Sequence, residues 1–85
     1  MAVAHFQLGT CYYKGEGVEQ DNAKAFEWYG KAAEQGDARA QHDLGVCYYY
    51  GEGVEQDIAK AVILVRLLIQ EELKAVNVLI SIHKL

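Results

Sequence analysis

The sequence predicts an all-α protein built of stacked helical hairpins, and three observations predict it. The block G-E-G-V-E-Q-D occurs at Gly15–Asp21 and again, letter for letter, at Gly51–Asp57, a period of 36 residues. Sliding Ala2–Ala25 onto Ala38–Ala61 gives 17 identities in 24 positions. Between the glycine blocks, apolar residues recur at helical spacing. A period in this range belongs to repeat proteins, whose units stack on their neighbours instead of folding round one globular core.

The first helix is expected over residues 2–13, where Ala4, Leu8, Gly9 and Tyr12 form one stripe. Gly9 lacks a side chain, so a neighbouring helix can approach closely there, and Gly45 repeats it. Gly15-Glu16-Gly17 supplies the backbone freedom to reverse direction after Tyr13-Lys14. Asp21 is a natural N-cap for a second helix over 22–35, its carboxylate accepting from the free N–H groups of the first turn. That helix turns Ala25, Trp28, Tyr29 and Ala32 inward, and Gly36 closes it. Asp37 opens the third helix, 38–49, and Asp57 caps the fourth, 58–70.

These residues carry a family resemblance. A-x-x-x-L-G-x-x-Y, G-x-G-V-x-x-D-x-x-K-A and W-Y-x-K-A-A-E-x-G, found between Ala2 and about Ala61, resemble the SEL-like repeat, a relative of the tetratricopeptide repeat. The resemblance implies an α/α solenoid of about two SEL-like hairpins, with one repeat over 1–36 and a second over 37–61. It also implies an adaptor or scaffold, a protein–protein interaction module that holds a protein or peptide on its concave face. By the tetratricopeptide analogy that face is lined by Val3, Phe6, Thr10 and Tyr13, then by Arg39, His42, Val46 and Tyr49. Aromatic and arginine anchors in a concave surface suit protein recognition. Some bacterial relatives are cysteine-rich hydrolases or β-lactam binders with a disulfide in each repeat. Here Ala33 and Ala40 stand where that pattern places its cysteine pair, so the chain departs from that subgroup.

Residues 62–85 break the repeat, either as a divergent helical tail or as a degenerate third repeat. V-I-L-V-R-L-L-I-Q-E-E replaces the expected F-E-W-Y-G-K-A-A-E-Q-G. No Gly or Pro follows Gly53, so a helix begun at Asp57 can run toward Lys84 as one rod or bend near Gln70–Leu73. A bend is expected, with a further helix over 73–84, because Gln70, Glu72, Lys74, Ala75 and Leu79 face Gln35, Asp37, Arg39, Ala40 and Leu44 at an offset of 35. Val76, Val78, Ile80 and Ile82 alternate as a strand would, but a lone strand has no sheet to join. A tail apolar on every side predicts a homo-oligomer, with Val62, Leu64, Val65, Leu68 and Ile80 at the interface. A second hypothesis is that the tail is a frame-shifted repeat. With suitable codons, the frame one base earlier reads Y-F-G-K-A-A across Ile63–Leu68, resembling Trp28–Ala33. The encoding DNA tests it: codons incompatible with G-K-A-A at Val65–Leu68 end the idea.

Composition narrows the function. The net charge is −4 and the eight basic residues are scattered, which argues against nucleic acid as a partner. The chain opens with no secretory signal, which fits the cytoplasm. A start already inside a repeat helix points to a piece of a longer repeat protein, and two repeats that bind nothing by themselves are the alternative to an adaptor. Cys11 and Cys47 occupy equivalent positions, roughly 8–10 Å apart in stacked helices, beyond the about 7 Å that a disulfide tolerates. Both read as reduced packing residues, with no metal pair and no cofactor motif. Ser81, His5, His42 and His83 form no nucleophile–base pattern, which leaves surface histidines and no enzyme. The acidic turns lack the ligand spacing of a calcium loop and repel phosphate.

Overall fold

A computed structural model describes residues 1–83. Four helices follow one another: α1 (Ala2–Lys14), α2 (Asn22–Glu34), α3 (Ala38–Tyr50) and α4 (Ile58–His83). Each packs on its neighbours in the chain, α1 on α2, α2 on α3 and α3 on α4. The hairpin stack is an α/α solenoid, with no strand among the described residues.

The repeated block builds the same corner twice. Gly15 and Gly51 end α1 and α3 in the left-handed region, at φ 74° and 71°, and their N–H groups donate to the Cys11 and Cys47 carbonyls. Gln20 and Gln56 donate their side-chain amides to the Tyr13 and Tyr49 carbonyls, at 3.3 and 2.8 Å. The three aspartates then cap as their positions require. Asp21 accepts from Lys24 N–H and Asp57 from Lys60 N–H, both at 3.1 Å, and Asp37 accepts from Arg39 and Ala40. Burial of Asp37 acts against its charge, but the Ala40 amide and the Arg39 guanidinium and amide outweigh it, so its carboxyl lies below the ordinary range.

The core is thin, as two hairpins dictate. Ala25, Tyr29, Leu44 and Cys47 form its buried centre, and Phe6, Tyr12, Phe26, Val54 and Leu64 pack around them. Ala32 and Ala40 are fully buried. Of the stripe expected on the first helix, Gly9 is buried and Tyr12 half-buried, whereas Ala4 and Leu8 are exposed. Their repeat partners Ala40 and Leu44 are buried. The difference is physical: α3 has α2 in front of it, and α1 has no helix on that side.

The expected bend near Gln70–Leu73 and the separate helix at 73–84 are not found. α4 is one rod of 26 residues. Gln70–Ala75 reads Q-E-E-L-K-A, all strong helix formers, and a faint repeat offset cannot break a helix where neither Gly nor Pro intervenes. Lys84, the last residue of the expected helix, lies outside the described residues.

Gly9 and Gly45 were both expected at close contacts, and only Gly9 is. A Cβ on Gly9 would come within 2.7 Å of the Tyr29 ring, whereas one on Gly45 would meet Ala61 and Leu64 at 3.8 Å, an ordinary contact. The reason is that Val65 stands one period after Tyr29. Gly9→Ala is therefore expected to cost on the order of 1–3 kcal/mol by overpacking. Gly45→Ala should stabilise by about 0.5–1 kcal/mol through helix propensity. Urea denaturation of both variants checks the pair, and a loss at Gly45 equal to that at Gly9 would contradict this packing.

Candidate protein-binding groove

Two cavities of about 410 Å³ each open along the stack, one between α1 and α3 and one between α3 and α4. Val46 lines both, so they form a continuous surface. Phe6, Thr10, Tyr13 and Lys14 from α1 and Asp43, Val46 and Cys47 from α3 line the first, with Tyr29 of α2 as its floor.

Tyr29 belongs to core and groove at once. Its ring lies 5.6 Å from that of Phe6, and its hydroxyl is 3.3 Å from Thr10 Oγ1. Thr10 donates to the Phe6 carbonyl at 3.1 Å, so its single proton is committed and the Tyr29 hydroxyl is the donor in the other bond. Burial raises the Tyr29 phenol above its ordinary value. The Glu52 carboxylate, an acceptor beside the Tyr13 hydroxyl, raises that phenol, with burial adding to it.

The second cavity carries His42, Gly45, Val46, Tyr49 and Tyr50 from α3 against Ala61, Val62, Val65 and Arg66 from α4. Tyr49 and Tyr50 meet edge to face at 4.9 Å. His42 Nδ1 is 3.2 Å from Asp43 Oδ1.

This arrangement of equivalent hairpins agrees with the comparisons. The family model described as "Sel1 repeat" matches residues 2–37 and 38–69. The chain belongs to the Sel1 repeat family. Solved Sel1-type structures superpose on it closely. One is a protective antigen present in uropathogenic Escherichia coli strains, which displays an SLR fold; it is 46% identical, with a TM-score of 0.79 over 82% of this chain and 15% of that one. Another, a Sel1 repeat protein from Oxalobacter formigenes, is 39% identical, with a TM-score of 0.79 over 84% of this chain and 28% of that one. The chain thus spans less than a third of either relative. No curated protein matched the sequence. Sel1 repeats make this chain a helical repeat scaffold.

On the scaffold, Phe6, Thr10, Tyr13 and Val46 meet in the first cavity, and His42, Val46 and Tyr49 in the second. Val3 and Arg39 line neither. Val3 is exposed near the start of α1, and the Arg39 guanidinium lies 4.4 Å over the Phe6 ring, paired with Asp37 at 3.4 Å. Sequence reasoning missed Tyr29 and Asp43 as groove residues; the phenolic end of an otherwise buried ring was the available signal for Tyr29. Val62 and Val65, expected at an oligomer interface, line the second cavity. Of the other tail residues assigned to that interface, Leu64 and Leu68 are half-buried, and Leu64 packs on the core. Ile80 is exposed.

Cys11 and Cys47 are free thiols. Burial, reinforced by Glu52 and Asp43, pushes Cys47 up to about 11. A folded-state value above the unfolded one favours folding below the unfolded pKa of about 8.5, and that contribution disappears as pH rises toward the folded value. The urea midpoint is expected to fall between about pH 8 and pH 10, and to fall less in Cys47→Ala. Equal slopes would contradict the assignment. His5, expected at the surface, is instead half-buried 5.4 Å from the Trp28 ring, its Nδ1 without a hydrogen-bond partner. Among the described residues no group of acidic, histidine or cysteine side chains could hold a metal, and no helix is long and apolar enough to cross a membrane.

Proposed function

We propose that the chain is a protein–protein interaction module that holds a peptide or protein segment along the concave face formed by the two cavities. The observation that carries this reading is their continuity through Val46: an apolar trough floored by Tyr29 and edged by Thr10, Tyr13, His42 and Asp43. A concave apolar surface with a few fixed polar groups is the usual form of a recognition site. Selecting binders from a random peptide display library tests it. Selected peptides are expected to bind at least about tenfold more weakly to Tyr13→Ala and Val46→Glu. They should bind unchanged to Lys31→Glu, a residue that sits over Trp28 and lines neither cavity. Binders indifferent to both groove substitutions would overturn the reading. Two copies are further proposed to associate through the free half of α4.

A further inference from the structure

The repeat supplies an internal standard for what each hairpin contains. In the first, Tyr29 is 3% exposed, lies on Gly9 and against Phe6, and donates to Thr10. One period on, the four positions hold Val65, Gly45, His42 and Val46. The ring is missing: Val65 is 45% exposed, and where the Tyr29 ring presses on Gly9, only the Ala61 carbonyl and Leu64 Cβ approach Gly45, at the 3.8 Å of an ordinary contact. What remains is the second cavity, about 410 Å³. A dry cavity of roughly 150 Å³ is enough to hold a benzene ring. The same change of sequence puts a positive charge at the edge, because Arg66 stands where the first hairpin has Gly30. Among the described residues no Asp or Glu lines this cavity, although the chain carries a net charge of −4.

We propose that the groove between α3 and α4 receives an aromatic side chain of a partner polypeptide with a carboxylate beside it, the ring in the place that Tyr29 fills in the first hairpin and the carboxylate on Arg66. This rests on the concave-face reading and specifies its ligand. The walls also set a preference. Val46 replaces the Thr10 hydroxyl that accepts from Tyr29, so a phenolic O–H entering here is buried without that partner. Phenylalanine is preferred over tyrosine by about five- to tenfold.

The test is a titration of the full chain with N-acetyl-phenylalanine, its amide and N-acetyl-tyrosine, followed on the valine methyl resonances. N-acetyl-phenylalanine is expected to shift the Val46 and Val65 methyls upfield, saturably, through the ring current. The amide should bind several-fold more weakly, and N-acetyl-tyrosine about five- to tenfold more weakly. Val65→Tyr supplies the ring from within: it should abolish the shift at Val46 while leaving the melting temperature equal or higher, which shows that the variant is folded. Val46→Thr should narrow the preference for phenylalanine over tyrosine. The absence of a saturable shift at either methyl, or a shift that survives Val65→Tyr, overturns the proposal. If the probes fail while displayed peptides still depend on Tyr13 and Val46, the aromatic assignment falls and the concave-face reading stands. If displayed peptides ignore the groove while the probes bind as described, the reverse holds.

Discussion

Tyr29→Ala is expected to remove roughly 3–5 kcal/mol of stability, the range for losing a buried aromatic ring. Tyr29 closes α1 on α2 by lying on Gly9, packs against Phe6, donates to Thr10 and floors the first cavity. Among the described residues no other large side chain in the buried core is its equal; the rest are Leu44, Cys47 and four alanines. Small domains hold about 5–15 kcal/mol in total, and a two-hairpin stack belongs toward the lower end. The variant should therefore be largely unfolded at 37 °C, with its helical circular dichroism lost. Tyr29→Phe keeps the ring and gives up only the hydroxyl bond, so it should cost about 1 kcal/mol. Thermal melts of the two variants separate packing from hydrogen bonding, and an alanine variant within about 1 kcal/mol of the parent would show that the ring does not hold the first hairpin together.

The hairpins were legible because the signals that set them are local. Glycine at a left-handed corner and aspartate at a helix start act on their own neighbours, so Gly15, Gly51, Asp21, Asp37 and Asp57 sit as the sequence requires. What failed depended on something beyond the repeat unit. Ala4 and Leu8 carry the same letters as Ala40 and Leu44, but burial needs a helix in front, and only α3 has one. Gly45 reads like Gly9, yet its room is set by Ala61 and Leu64 of the next helix, where Gly9 has the Tyr29 ring. In the groove, Phe6, Thr10, Tyr13 and Val46 followed from the face that a first helix presents, whereas Arg39 folds back on Phe6 and Asp37, a choice of rotamer that no pattern encodes.

Self-association through α4 is the second large effect expected. At about 1.5 Å per residue, the 13 residues of α3 extend about 20 Å and the 26 of α4 about 39 Å. Roughly half of α4 therefore projects past the helix it packs on. Ile69, at the end of the packed half, and Leu73, Val76 and Ile80 along the projecting one follow at spacings of four, three and four, the seam of a coiled coil, and each is 47–54% exposed. Full burial of a large aliphatic contributes roughly 1.5–3 kcal/mol. Four from each of two copies reach the roughly 4–15 kcal/mol that association costs. Pairing two projecting halves in this way is isologous and closes at a dimer. Light scattering of the parent at tens of micromolar is expected to give twice the mass of one chain, and Leu73→Lys with Ile80→Lys should return it to that of a single chain. Because both residues lie on the free half of α4, the double variant should keep its two hairpins and its helical spectrum. A parent that is monomeric under these conditions, or a dimer that survives the two lysines, would refute the seam.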